Sequence, residues 1–141
     1  MKRSAALVPL SREHHEALVL ARRAAAALDA ESAARLVTQL LARWEAQFAP
    51  HFACEEQALL PALRAGGHEA AGVALAQHAE LRRLVDRLRR GDLAALPAWG
   101  EAMQAHVRFE ERTLFPLAES ALDLSNLADS LARAAESHSI P

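Results

Sequence analysis

Tyrosine is absent from this sequence and β-branched residues are scarce, whereas alanine and leucine dominate a composition that is 52% hydrophobic. Alanine and leucine favour helices, while β-branched and aromatic residues favour strands. The composition therefore predicts an all-α protein. A length of 141 residues suffices for one domain with a substantial core, so we expect residues 1–141 to form a single domain.

The chain has a single cysteine, Cys54, which excludes an internal disulfide and fits a reducing compartment. It also lacks a long apolar run near its start, because the basic Lys2 and Arg3 are soon followed by the polar residues 11–14. This pattern matches neither a signal peptide nor a transmembrane helix. We therefore expect a cytoplasmic protein without a membrane partner.

A strong excess of either charge is missing too. The 16 basic and 18 acidic residues give a net charge of −2. No basic patch stands out along the chain, so nucleic acid is not an expected partner.

Helical periodicity and turn signals divide the chain into four long helices and a short fifth one. The predicted helices cover residues 11–29, 32–65, 69–90, 97–121 and 123–136. Long helices joined by short turns are typical of an up-down-up-down four-helix bundle, here with its core between about residues 10 and 121. Residues 1–9 are predicted to be an extended lead-in that Pro9 closes, with Ser11 as the N-cap of the first helix. Pro50 and Pro61 lie inside the second helix, and Pro50 is expected to bend or split it.

One motif occurs twice, as H-x-x-x-E-E-x-x-L-[LF]-P. The copies cover residues 51–61 and 106–116. Residues four apart on a helix lie on the same face, so each copy directs an imidazole and a carboxylate the same way. That face is apolar in both helices: His51 and Glu55 lie among Trp44, Phe48 and Leu59. A carboxylate buried alone there would cost several kcal/mol, and a metal cation would neutralise it.

The first and third helices each add an inward-facing histidine. In an antiparallel bundle, two residues at the same height are equidistant from the turn that joins their helices. The midpoints of His14 and His51, of His51 and His78, and of His78 and His106 fall at 32–33, 64–65 and 92, each on or beside a predicted turn. The four imidazoles should therefore share one layer. His68, beside a Gly-Gly turn, and His138, in the tail, are predicted to be solvated.

Two assignments remain open at this point. His14 lies at the centre of the apolar stripe of the first helix and is favoured, but its neighbour His15 is an alternative ligand. On the fourth helix Glu110 is favoured over Glu111, because it repeats the His51/Glu55 spacing. Glu56 and Glu111 are turned by about 100° from the paired acids and are expected at the helix edge, near arginines. The aromatic residues are more simply packing residues that shield the site.

These residues resemble the hemerythrin family in its broad form, the hemerythrin-like or HHE cation-binding domains. The resemblance covers residues 10–118. It rests on Leu10-Ser11-Arg12-Glu13-His14, on both copies of the repeated motif and on Gln77-His78. It implies a four-helix bundle that holds two irons, bridged by two carboxylates and an oxo or hydroxo group. Carried over, Glu55 and Glu110 are the bridging acids and the terminal ligands are His14, His51, His78 and His106.

The sequence departs from the oxygen-carrying hemerythrins at two positions. The carriers have a second histidine one turn after the ligand of the third helix, where this chain has Arg82. Their last acid follows its histidine by five residues, which here would be Glu111. The missing imidazole leaves the metal coordination more open and disfavours reversible oxygen storage.

The resemblance predicts a non-haem di-iron protein that senses or handles oxygen, nitric oxide, peroxide or iron itself. One alternative is a di-iron oxidoreductase that reduces peroxide or repairs nitrosatively damaged iron centres. Another is a zinc-stabilised or metal-free structural bundle. The sequence shows no second redox cysteine and no separate substrate pocket, which disfavours a dedicated enzyme.

Overall fold

The computed structural model describes residues 2–26 and 28–137. Within these residues it contains five helices and no strand, which confirms the all-α prediction. The helices are Val8–Ala25, residues 30–65, Ala70–Arg89, residues 95–121 and Leu124–Ser137. The first four form the predicted bundle, and the fifth lies against the second helix. The predicted solvation of His138 concerns a residue outside the described part.

The first helix differs from its predicted bounds at both ends. It begins at Val8 after Leu7, which caps it without a side-chain hydrogen bond. Pro9 lies in the first turn, where its missing N–H leaves no hydrogen bond unmade. The extended lead-in was therefore wrong for residues 5–9, which form a turn and the start of the helix, and the N-cap role of Ser11 was wrong too. Residue 1 lies outside the described part. The helix ends at Ala25 because Ala26 takes an extended conformation, with φ −71° and ψ 152°.

The second and fourth helices are not broken by their internal prolines, because a wider, π-helical turn comes shortly before each of them. Each proline follows a five-residue π-helical turn by two positions. The turns are Trp44–Phe48, Glu55–Leu59 and Glu110–Leu114, ahead of Pro50, Pro61 and Pro116. Proline lacks an N–H and its ring clashes with the carbonyl four residues earlier, so a wider turn accommodates it. Since the helix is continuous over residues 30–65, the expectation that Pro50 might split it was wrong.

Glycines fix one tight turn and one close contact between helices. Gly91 has a φ of +87°, which reverses the chain between the third and fourth helices. Gly100 lies where the fourth helix meets the first, and a Cβ built on it would come within 2.5 Å of the Ala21 carbonyl oxygen. The first and fourth helices can therefore approach more closely here than any larger residue allows.

Two apolar clusters fill the bundle, one on each side of the buried histidines. One contains Trp44, Trp99 and Met103. The other contains Leu59 and Phe115, and the fifth helix covers it with Leu127, Leu131 and Ala134. In the described part of the chain, no helix is long and apolar enough to span a membrane.

Candidate metal centre

The layer between the two apolar clusters is polar and buried. In the described chain, the buried polar and charged side chains are His14, His51, Glu55, His78, His106 and Glu110. Each of the four bundle helices supplies one histidine, and the second and fourth helices add one glutamate each. The π turns of these two helices begin at the glutamates themselves. The prediction that the four imidazoles share one layer agrees with this arrangement.

One half of the layer joins the first and second helices. Nε2 of His14 lies 2.9 Å from Oε1 of Glu110, and Nε2 of His51 lies 3.2 Å from Oε2 of Glu55. Nε2 of His51 is also 3.9 Å from Oε1 of Glu110. These four side chains place ligand atoms within 4.8 Å of one another.

The other half joins the third and fourth helices and uses the same two glutamates. Nε2 of His78 lies 3.0 Å from Oε1 of Glu55, and Nε2 of His106 lies 3.3 Å from Oε1 of Glu110. Glu55, His78, His106 and Glu110 again place ligand atoms within 4.8 Å of one another. The geometry therefore offers two cation positions that share both carboxylates.

Several of these inward-facing atoms have no hydrogen-bond partner. In the described chain, six buried side-chain polar atoms lack one, and four of the six belong to this layer. These four are Oε1 of Glu55, Nε2 of His78, Nε2 of His106 and Oε2 of Glu110. They lie near one another without the alignment of a hydrogen bond. Buried polar atoms are rarely left without partners, so this donor set fits cations held between the helices.

Each imidazole is held from its outer side by a second residue. The Nδ1–H groups of His14 and His78 donate to Glu111 at 2.6 Å and to Glu56 at 2.7 Å. Those of His51 and His106 point to Glu13 at 3.3 Å and to Gln77 at 2.6 Å. Because every outer partner accepts at Nδ1, each Nε2 is directed at the centre of the layer. This is the arrangement that metal-binding histidines usually have.

Residues 8–26 and 28–118 thus combine a helical bundle with two groups of histidine and glutamate side chains that share both carboxylates and could each hold a metal ion. A family model described as the hemerythrin HHE cation binding domain matches residues 7–118. The chain belongs to this family. No curated protein and no solved structure matches the chain.

Without a bound metal, the layer of this hemerythrin-like site contains charged glutamate and histidine side chains. Burial would raise the pKa of Glu110, but the charge of His106 and contacts with His14 and His51 outweigh it and hold the pKa well below its ordinary value. Burial likewise would lower the pKa of His51, yet the charge of Glu55 raises it well above its ordinary value. The pKa values of His14 and His78 are raised as well, because burial is outweighed by their contacts with glutamates. Without metal, protons on these three imidazoles therefore offset the charge of Glu110. A metal ion would replace those protons and release them.

Arg82 stands where the oxygen-carrying hemerythrins have a histidine. Its guanidinium donates to both oxygens of Glu56, at 2.7 and 2.9 Å, and lies over the ring of Phe52. Burial opposes ionisation of Glu56, but its contacts with His78 and Arg82 lower the pKa to about 2. Arg82 therefore acts on His78 through Glu56 instead of offering a ligand atom.

Two aromatic rings close the layer from its sides. Phe52 stacks on His78 with a centroid separation of 4.0 Å and an interplanar angle of 8°. Phe115 stacks on His14 at 5.4 Å and 9°. These contacts fix the ring planes and shield the layer from water, in line with the packing role predicted for the phenylalanines.

The structure brings six of the seven predicted ligand residues together and leaves one out. His15 is exposed on the first helix, whereas His14 is in the layer. Glu111 lies outside the layer, holds His14 and forms an ion pair with Arg3. The geometry thus favours His14 over His15 and Glu110 over Glu111.

Sequence reasoning missed the outer partners of the histidines. Glu56 and Glu111 do meet arginines, as expected, but they also accept hydrogen bonds from His78 and His14. A sequence signal exists for all four partners, because each directly adjoins a layer residue: Glu13-His14, Glu55-Glu56, Gln77-His78 and Glu110-Glu111. A residue next to an inward-facing one is turned by about 100° and reaches the neighbouring helix.

Proposed function

We propose that this chain is a cytoplasmic non-haem di-iron protein that senses or handles a small ligand such as oxygen, nitric oxide or peroxide. His14 and His51 would bind one iron, and His78 and His106 the other. Glu55 and Glu110 would bridge the two. We propose that residues 1–141 form one such domain, without nucleic-acid or membrane partners.

The observation that carries this proposal is the sharing of both buried carboxylates by two sets of paired imidazoles. Two imidazoles and two shared carboxylates give each cation four protein donors. Iron commonly takes six ligands, so positions would remain open for a small molecule. When bound, iron would supply redox chemistry and an open coordination position. The protein residues orient the donors and exclude bulk water.

Metal content and a matched pair of variants test the proposal. Protein from iron-supplemented cells should contain about two irons per chain and show near-ultraviolet charge-transfer bands when oxidised. Glu110→Gln removes a shared carboxylate and should abolish the rise in melting temperature that anaerobic ferrous iron produces. Glu101→Gln changes an exposed residue of the same helix and should keep that rise.

The alternative outcomes are distinct. One zinc per chain after iron supplementation would replace the di-iron proposal with a zinc-stabilised bundle. Equal responses of the two glutamate variants to ferrous iron would show that the buried layer is not where the metal binds.

A further inference from the structure

A groove of about 570 Å³ lies outside the bundle, between the start of the first helix, the second helix and the fifth helix. Its walls are mainly alanine and leucine side chains, including Ala46, Leu131 and Ala132. Alanines leave open the space that larger residues would fill, and the volume lies in the range of small-molecule sites, about 300–1,000 Å³. No sign of this groove was visible in the sequence.

A second, smaller cavity, called here the inner cavity, lies against the candidate metal centre and is partly open. It measures about 10 Å³ and is bounded by His14, Ala17, Phe48, Phe52, Met103 and His106, together with residues that it shares with the groove. This is close to the space that one water molecule needs.

Only two described residues line both cavities, and they are Glu13 and His51. The partition between the cavities is thus a single pair of side chains. Oε2 of Glu13 lies 3.3 Å from Nδ1 of His51, which is the longest of the four contacts that hold the imidazoles. The side chain of Glu13 is 33% exposed, whereas that of His51 is 4% exposed. Glu13 is therefore the part of the partition that can move.

We propose that the groove is the route by which small uncharged molecules reach the inner cavity, and that the Glu13 side chain gates this route. This inference rests on the proposed function in one respect, namely that iron is bound beside the inner cavity. Rotation of Glu13 towards solvent breaks one long hydrogen bond and joins the two cavities. His51 keeps its place because its helix and the packing around it hold the ring.

The charge of the groove determines which molecules can use it. Among its described lining residues, Glu13 and Glu45 carry negative charge and no lysine or arginine occurs. Glu45 is paired with Arg89, and Glu13 is paired with His51. Once His51 binds a metal it gives up its extra proton, and the carboxylate of Glu13 then dominates the inner end. An anion would lose its hydration in the apolar groove and then meet this carboxylate. Dissolved gases such as nitric oxide lose little by entering, so the groove selects against anions.

Xenon tests the groove independently of iron. It is an apolar probe of roughly the size of a diatomic gas, and it can be applied to crystals of metal-free protein under pressure. We expect xenon in the groove of the wild-type protein, and loss of that site in Ala132→Phe, whose ring would fill the groove. Ala79→Phe places the same ring at an exposed position of the third helix and should leave xenon in the groove. A groove without xenon in the wild-type protein would overturn the proposal.

Association rates test the route in the iron-loaded protein. Ala132→Phe should slow nitric oxide binding to the ferrous protein by about tenfold or more relative to Ala79→Phe. Glu13→Gln keeps a hydrogen-bond acceptor for His51 but removes the charge, so it should raise the azide rate on the ferric protein more than the nitric oxide rate on the ferrous one. Equal nitric oxide rates in the two phenylalanine variants would exclude the groove as the route. If the protein binds no iron, the proposed function fails, and xenon occupancy still decides whether the groove takes apolar molecules.

Discussion

Oε1 of Gln77 lies 2.6 Å from Nδ1 of His106, whereas the Nδ1 atoms of His14, His51 and His78 each face a carboxylate. A carboxylate accepts this hydrogen bond more strongly than an amide and makes the imidazole a better electron donor. The two halves of the layer therefore differ, although their inner ligands are equivalent. We therefore expect the half built on His78 and His106 to bind a cation less tightly than the other half.

Substitution of Gln77 should change the affinity of this half for metal. Gln77→Leu leaves the buried Nδ1–H of His106 without an acceptor, and we expect the weaker of two metal-binding steps to lose about 10–100-fold in affinity. Gln77→Glu should tighten the same step. Competition with a chelator measures both. Gln39→Leu, at an exposed position of the second helix, should leave the affinity unchanged, and an equal loss there would contradict the assigned role of Gln77.

The stability of the metal-free protein should fall as the pH rises from about 6.5 to 9. Burial opposes protonation of His78, but its contacts with Glu55 and Glu56 raise its pKa from 6.5 to about 9. A pKa raised in the folded state stabilises the fold fully below the unfolded value, and that contribution is lost as the pH passes the folded value. For His78 alone the loss amounts to about 3 kcal/mol.

Chemical denaturation of metal-free protein between pH 6 and pH 10 measures this slope. Over the same range metal affinity should rise, because the imidazoles must release protons before they bind a cation. His15→Gln alters only an exposed imidazole and should leave both trends as they are. A flat stability profile would show that His78 is neutral in the metal-free fold.

The proposed iron centre should react irreversibly with air. With Arg82 bound to Glu56, the third helix offers one imidazole instead of the two found in oxygen carriers. We therefore expect the reduced protein to be oxidised during cycles of oxygen and argon, followed by its visible spectrum. Arg82→His should increase the number of cycles after which the reduced spectrum still returns. The control is Arg83→His, which changes an exposed neighbour. Complete recovery of the reduced spectrum by the wild-type protein would identify it as a carrier.

Replacing either of two helical glycines by alanine should change the free energy of unfolding, in opposite directions for the two positions. The Cβ of Gly100→Ala would lie 2.5 Å from the Ala21 carbonyl oxygen and 2.6 Å from the Ala25 nitrogen, so the first and fourth helices must separate. We expect a loss of about 1–3 kcal/mol in the free energy of unfolding. Gly72→Ala meets nothing within 4 Å and should stabilise its helix by about 0.5–1 kcal/mol. Denaturant titration of both variants checks the pair.

Much of the fold follows from local sequence. The turns at Gly67 and Gly91 are visible because positive φ favours glycine, and the helices between them follow from apolar periodicity. The layer containing His14 and His106 could be predicted because, in antiparallel helices, two residues equally far from the connecting turn lie at the same level along the bundle axis. The first helix was misplaced because Pro9 is compatible both with a lead-in and with a first turn.

The groove and the outer hydrogen bonds could not be obtained in this way. The groove exists because the fifth helix lies against the second and lines the space beside it with alanines such as Ala132. This packing depends on contacts between helices that are far apart in the sequence. Whether Glu56 turns to His78, to Arg82 or to both depends on distances between helices that periodicity does not contain. The sequence showed that each inward-facing glutamate is followed by an outward-facing one. That the outward-facing glutamate accepts a hydrogen bond from a histidine could be seen only with the neighbouring helix in place.

The wide turns ahead of Pro61 and Pro116 also set the angular phase of their helices. Each adds about one residue to a turn, so the helix face that carries Glu55 or Glu110 is out of step with the face beyond the proline. Leu60 and Phe115, directly after these turns, are thereby brought into the apolar cluster that the fifth helix covers. Deleting a single residue from either turn would rotate everything after it by about 100°. Each wide turn thus lets its own continuous helix contribute first to the polar layer and then to an apolar interface that faces a different direction.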